Sequence, residues 1–205
     1  MAKLIFNYSA MNSGKTMDLI RTAYNYTEND LKIIVMKSIK DTKGNDTIVT
    51  RAGLSKKVDI LVKEGDNIYT LLKDKISEMK CDSINDIKCI FIDEAQFLSE
   101  KQVIDLFIFC NTYDIPVICY GLRTNFKGEL FEGSKTLLAL AEELNEFKTL
   151  CSCGEIARFN ARKENGEYVV EGEDVVIDGT ANVEYIPLCA KCFKNNVLIK
   201  RIIKK

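Results

Sequence analysis

Histidine is absent from all 205 residues, and its absence excludes more chemistry than most of the residues present suggest. A Ser-His-Asp or Cys-His catalytic arrangement cannot be assembled. A zinc site must be built from cysteine or carboxylate, and a general base working near neutral pH falls to Asp, Glu or a perturbed Lys. An excess of either charge is lacking too: 29 Lys and Arg stand against 30 Asp and Glu, for a formal net charge of -1. That balance gives no general attraction to nucleic acid or to an anionic membrane. No stretch reaches the roughly 18 apolar residues of a spanning helix, and Met1–Tyr8 leads straight into a candidate functional loop instead of a secretion leader. The expectation is a cytoplasmic protein with neither a membrane nor a nucleic-acid partner. Internal repeats and low-complexity tracts are missing as well, and the Lys-rich ending Lys200–Lys205 reads as a solvated tail.

What is present suffices for a folded chain. Hydrophobic residues at 46% and charged residues at 29% match a globular protein with a sizeable core, and the length fits one α/β domain with a small appendage. Apolar runs at Leu4–Tyr8, Lys32–Met36, Val58–Val62, Cys89–Ile92 and Ile115–Tyr120 read as strands. Amphipathic stretches near Met17–Asn29, Asp66–Met79, Glu100–Tyr113 and Ser134–Leu144 read as helices. Strands without polar alternation, separated by helices, predict a parallel sheet buried on both faces. Ser38–Ser55 is polar and without a period, so a loop near the site is expected. After Leu150 the composition turns to Cys, Gly, Asn and charge, with one strand-like run at Tyr168–Ile177. The expected organisation is an α/β phosphate-loop domain over 1–147 and a small lobe over 148–205.

Three constellations carry chemistry. Ser9-Ala-Met-Asn-Ser-Gly-Lys-Thr16 follows a strand and opens a helix, the context a phosphate-binding loop requires. Gly14 lets the backbone approach phosphates, Lys15 reaches the outer ones, and the Thr16 hydroxyl suits magnesium. The loop Ser9, Ala10, Met11, Asn12, Ser13, Gly14, Lys15 and Thr16 is therefore the candidate ATP site, although Ser9 occupies the position where glycine is usual. The competing reading is a helix that merely starts with Gly-Lys-Thr. Second, Lys-Cys-Ile-Phe-Ile-Asp-Glu places Asp93 and Glu94 at a strand end, where parallel sheets present ligand sites. Asp93 is the candidate for holding magnesium, leaving Glu94 to accept a proton; the competing reading is a turn that caps the next helix. Third, Cys151-Ser-Cys153 and Cys189-Ala-Lys-Cys192 form two close pairs in a polar region, the pattern of an all-thiolate structural zinc site, with free thiols or a disulfide as alternatives. Cys89, Cys110 and Cys119 sit in apolar runs and read as core, while Cys81 is ambiguous. Residues alone reach a phosphate-loop kinase or an ATP hydrolase. A nucleic-acid-binding module is disfavoured by the near-zero charge.

Met11-Asn-Ser-Gly-Lys-Thr16, Asp93-Glu-Ala-Gln-Phe97, Tyr120-Gly-Leu-Arg-Thr-Asn-Phe126 with Phe131, and the paired cysteines together resemble the cytosolic (type II) thymidine kinases over nearly the whole chain. The resemblance implies transfer of the ATP γ-phosphoryl group to thymidine, with magnesium and a structural zinc. It implies that Glu94 takes the proton of the sugar 5′-hydroxyl, that Gln96 belongs to the nucleotide-holding group, and that Met11, Phe97, Leu122, Phe126 and Phe131 line the thymidine pocket. Val175–Tyr185 resembles a lasso loop that covers the base in that family, with Val176, Ile177 and Tyr185 at contacting positions and Asn160 at another. Lys37, Asp41 and Lys43 resemble the family's Asp-x-Arg stretch beside the phosphates, with Arg51 as an alternative source of charge. A homotetramer and feedback binding of thymidine triphosphate are further implications of the resemblance.

Overall fold

The computed structural model describes residues 1–41, 44–174 and 182–203. By internal contacts the chain divides into two compact units. The first comprises Met1–Tyr8, Gly14–Gly121 and Glu132–Asn145, and the second comprises Ser9–Ser13, Leu122–Phe131 and Glu146–Lys205. The second unit thus gathers two segments from the amino-terminal two thirds of the chain in addition to the carboxy-terminal stretch.

The first unit runs β1 (Leu4–Ser9), α1 (Lys15–Thr27), β2 (Lys32–Ser38), β3 (Thr47–Val49), β4 (Ser55–Lys57), β5 (Ile60–Val62), α2 (Ile68–Glu78), β6 (Ile87–Asp93), α3 (Glu100–Tyr113), β7 (Val117–Leu122), α4 (Glu132–Leu140) and β8 (Glu143–Glu146). Six of these strands form one sheet in the order β5-β2-β6-β7-β1-β8, and the β2–β5, β2–β6 and β6–β7 pairs are parallel. The chain is an α/β protein with a parallel sheet flanked by helices. β2 and β6 are buried along nearly their whole length, because helices cover a parallel sheet on its faces and water reaches neither side. Leu4, Phe6, Ile34, Met36, Ile90, Ile92, Leu106, Phe109, Val117 and Leu137 form the centre of that core, joined by the buried thiols of Cys110 and Cys119; the Cys89 thiol is buried as well.

Helix ends follow local chemistry. At α3 the Ser99 Oγ accepts the Gln102 amide while the Gln102 Oε1 accepts the Ser99 amide, a reciprocal cap that satisfies two amides left over at a helix start. At α2 the Asn67 Oδ1 accepts the Thr70 amide at 2.8 Å.

In this unit the structure differs from the expected elements at two places. The helix expected over Ser134–Leu144 ends at Leu140, and Glu143–Glu146 becomes the edge strand β8. The Glu142 amide donates to the Leu4 carbonyl and the Leu4 amide to the Glu142 carboxylate, so sheet pairing outweighs the weak helical pattern. The stretch Ser38–Ser55 is not wholly irregular: β3 and β4 pair antiparallel, Thr47 opposite Lys57.

The second unit carries β9 (Thr149–Leu150), β10 (Ile156–Ala157), β11 (Phe159–Glu164), β12 (Glu167–Val169), β13 (Val183–Leu188) and the short helix α5 (Ala190–Phe193). β9 and β10 form a hairpin, and the other three strands form a sheet in the order β12-β11-β13. Of the strand-like run expected at Tyr168–Ile177, Tyr168 and Val169 form the end of β12, and residues 175–177 lie outside the described residues. A small core of Ala157, Ala161, Val170, Leu188, Phe193 and Val197 is sealed by Phe159 stacked on Phe193, centroids 4.6 Å apart. Among the described residues no helix is long and apolar enough to cross a membrane.

Candidate functional site

β1 delivers the chain into the Ser9–Thr16 loop and α1 carries it away. Gly14 caps α1 at φ 82° with no side-chain hydrogen bond to the helix, a torsion that favours glycine. A helix start whose N-cap residue brings no side chain, carrying the positive end of the helix dipole, is an arrangement that accepts a phosphate. Ser9, where glycine is usual, is not among the residues of positive φ, whereas Asn12 is, at 61°. A serine there therefore meets no torsional objection.

Lys15 opens α1 and is 9% exposed. Burial pulls its pKa down, while the charges of Glu94 and Asp93 push it back up. These carboxylates come from the far end of β6, which is separated from β1 by β7 alone. Strand spacing sets that separation at about 10 Å, a gap the lysine side chain helps to span. Asp93 is 4% exposed, and burial, reinforced by the neighbouring Glu94 charge, pushes its pKa to about 8 against the opposing pull of Lys15. A buried carboxyl that holds its proton so tightly is one that a bound cation would relieve. Asp93 fits magnesium by its chemistry, and the half-buried Thr16, next to Lys15 in the chain, is the hydroxyl that would hold the ion with it.

Glu94 lies just beyond β6 at φ 51°, an uncommon torsion for a residue with a side chain and one often found at reactive positions. Its Oε2 accepts a hydrogen bond from Gln96 Nε2 at 2.5 Å. The turn Ala95–Phe97 that follows is crowded from two directions. A methyl group added at Gly133, near the start of α4, would lie 2.5 Å from the Ala95 carbonyl oxygen, 2.7 Å from that of Leu98 and 3.0 Å from that of Gln96. One added at Gly121 would lie 2.8 Å from Gln96 Oε1. Sequence reasoning gave neither glycine a role, because the neighbour each must accommodate is remote in the chain.

A third carboxylate belongs to the same unit. Lys37 is fully buried, pairs with Asp41 at 2.9 Å and donates to the Thr47 carbonyl at 3.3 Å. In the β2–β6 register Lys37 stands beside Asp93, and the Asp41 charge reaches Asp93. Lys43 lies outside the described residues, and Arg51 is exposed.

In the second unit, Ser9–Ser13 is held by Asn160, whose Oδ1 accepts the Met11 amide at 2.8 Å and whose Nδ2 donates to the Thr124 carbonyl at 3.2 Å. Asn160, which the family resemblance puts at the base, here occupies both ends of its amide with backbone and is 2% exposed. Ser9 Oγ donates to the Ala10 carbonyl and lies 2.5 Å from Ser13 Oγ. Phe126 is buried, while Met11, Leu122, Phe131 and Tyr185 are half-buried. Phe97, in the first unit, is also half-buried. Val176 and Ile177 lie outside the described residues.

The four cysteines converge. Cys151 and Cys153 occupy the β9–β10 turn, Cys189 follows β13 and Cys192 lies in α5, with all four sulfurs within 4.8 Å of one another. Four thiolates about 2.3 Å from a tetrahedral zinc would be separated by similar distances. Burial works to raise the Cys151 pKa, but backbone hydrogen bonds from Cys153 and Cys189, together with side-chain hydrogen bonds from Cys153 and Cys192, outweigh it and bring the thiol to about 6. Amides aimed at a sulfur are the usual second shell of a metal thiolate. The cluster fits zinc, and four thiolates leave no position open for water, so the fit is to a structural site.

Against known proteins, residues 2–193 match the family model described as thymidine kinase. A thymidine kinase of Mannheimia succiniciproducens is 42% identical over 196 residues, covering 95% of this chain and 96% of its own. One from Francisella tularensis is 39% identical over 202 residues, 96% of this chain and 99% of that one. One from Legionella pneumophila is 43% identical over 196 residues, 95% and 90% respectively.

Proposed function

Since the chain belongs to the thymidine kinase family, we propose that it transfers the γ-phosphoryl group of ATP to the 5′-hydroxyl of thymidine, releasing dTMP and ADP. The observation that carries the reading at the level of residues is the grouping of a buried lysine with two adjacent carboxylates across one intervening strand. In phosphoryl transfer the protein mainly positions the reactants and offsets charge, and this chain's residues divide that work. The Ser9–Thr16 backbone and the α1 start hold the triphosphate, and Lys15 lies against its outer oxygens. Magnesium, held by Asp93 and Thr16, screens the phosphate charge when bound. Glu94 accepts the proton of the attacking hydroxyl, and Gln96 keeps its carboxylate oriented. Met11, Phe97, Leu122, Phe126, Phe131 and Tyr185 are assigned to thymidine on the family likeness, with Val176 and Ile177 in the same role. Asn160 acts through Met11.

Zinc on Cys151, Cys153, Cys189 and Cys192 is structural, closing the long excursion between the two pairs in a unit with little apolar area. By the same family likeness the enzyme is a cytoplasmic homotetramer subject to feedback by thymidine triphosphate. Sedimentation at four times the chain mass, and inhibition by the triphosphate that extra thymidine relieves, are the corresponding measurements. The decisive assay is γ-labelled ATP with a panel of nucleosides. Label should pass to thymidine only when the divalent cation is supplied. ATP turnover that is equally fast without any nucleoside would make the protein a hydrolase.

A further inference from the structure

β11 places Asn160 and Arg162 two residues apart, hence on one face. Both are almost fully buried, at 2% and 3% exposure. Asn160 holds the Met11 amide, as described. The Arg162 guanidinium lies over the face of Phe126, 4.2 Å from the ring centroid. Its Nη1 donates to the Glu173 carbonyl at 2.8 Å and its Nη2 to the Glu171 carbonyl at 3.1 Å. The Nη2 also pairs with the Glu164 carboxylate at 3.1 Å. Across β13, Arg162 stands opposite Tyr185.

Two observations set this arginine apart from a side chain kept for stability alone. Among the described residues its Nε is buried without a hydrogen-bond partner, an unmet donor that costs the fold and calls for another reason to keep the group in place. Gly172 leaves the guanidinium room: a methyl group added there would sit 2.5 Å from Nη2. The backbone at 171–173 is thus drawn close around the planar head, which only a forked donor can hold at two carbonyls while stacking on a ring.

We propose that Arg162 is a positioning residue for the nucleoside, acting by fixing the ring of Phe126 and the 171–173 backbone. The proposal rests on the thymidine reading, in which Phe126 lines the pocket. On that placement Arg162 acts on the nucleoside and not on the triphosphate, so its loss separates the two substrates. In Arg162→Gln the KM for thymidine rises about tenfold or more, while the KM for ATP stays within about twofold and zinc content is unchanged. Arg162→Lys falls between Gln and the parent, because an ammonium keeps the charge over the ring but cannot fork between two carbonyls. Gly172→Ala, pressing on the same guanidinium from outside it, raises the KM for thymidine in the same selective way, and it decides the matter if neither Arg162 variant folds. Parent-like thymidine KM in the folded variants, or thymidine and ATP KM rising together, overturns the proposal. A parent protein that transfers no phosphate to thymidine overturns the underlying reading first, before any variant is made.

Discussion

Replacing Gly133 by alanine tests whether the position of Glu94 is set by packing instead of by its own contacts. The added methyl would meet three carbonyl oxygens of the turn after Glu94, the nearest at 2.5 Å. Ordinary carbon–oxygen contacts lie near 3.3–3.6 Å, so the turn must retreat by about 1 Å. None of the three atoms is the end of a flexible side chain. The strain of such overpacking is about 1–3 kcal/mol. Alanine near the start of α4 recovers about 0.5–1 kcal/mol of helix propensity relative to glycine, so the net loss is about 0–2.5 kcal/mol. At about 2–4 °C per kcal/mol for a chain of this size, the fall in Tm ranges from nothing to about 10 °C and cannot serve as the readout alone. Turnover can, because the propensity gain does not touch it. A reacting group misplaced by about 1 Å loses about a hundredfold in rate. The assay is kcat at saturating ATP and thymidine, with the KM for ATP as an internal control expected within about twofold of the parent. Gly121→Ala should lose less, since its nearest contacts, Gln96 Oε1 at 2.8 Å and the Gln96 amide nitrogen at 3.1 Å, are looser than those at Gly133. A Gly133→Ala enzyme with kcat within about threefold of the parent would refute the reasoning.

Three further outcomes follow from the same geometry. Glu94→Gln should lower kcat by about 10²–10⁴ with little change in either KM, the range expected when a general base is removed; parent-like turnover would remove Glu94 from the chemistry. Asn160→Ala strands the Met11 amide and the Thr124 carbonyl, at about 1–3 kcal/mol for each group left unpaired; it should lower Tm and raise the KM for ATP, and an unchanged ATP KM would show that Asn160 does not hold the loop for its ligand. Metal analysis should find one zinc per chain, and stripping it with a strong chelator, or Cys151→Ser, should cost the second unit its resistance to protease together with the activity, since structural zinc in small peptides contributes about 10–16 kcal/mol; full activity in zinc-free protein would refute a structural role.

The five sheet strands expected from unbroken apolar runs are all present, because burial on both faces leaves a signal in every residue. What escaped was set by distance in sequence. β8 reads locally as the tail of a helix, and only its pairing with the chain near Leu4 makes it a strand. β3 and β4 are three residues each, too short for alternation to show in a polar stretch. In the candidate site, Lys15, Asp93 and Glu94 were legible because a loop after a strand and an acid pair at a strand end are local patterns. The four cysteines were legible for the same reason. The grip of Asn160 on Met11 was not, since nothing in either segment names a partner about 150 positions away. Arg162 left a faint trace in Asn-Ala-Arg, two large polar residues flanking a small one on a strand buried at its middle.

The torsion of Glu94 depends on the glycines at 133 and 121. A glutamate at φ 51° gives up about 1–2 kcal/mol relative to ordinary backbone, and it stays there only if its surroundings forbid the relaxed alternative. Here the surroundings are α4 pressing on the carbonyls of Ala95, Gln96 and Leu98, and the end of β7 pressing on Gln96, both at points where a side chain is missing. Gln96 then holds the carboxylate itself. On the proposed reading the base is the Glu94 carboxylate, and one with a side chain as flexible as glutamate's gains little from proximity unless its backbone is immobile. The fold achieves that immobility by close approach of main chain to main chain, which requires glycine on the approaching side and leaves no pattern near residue 94.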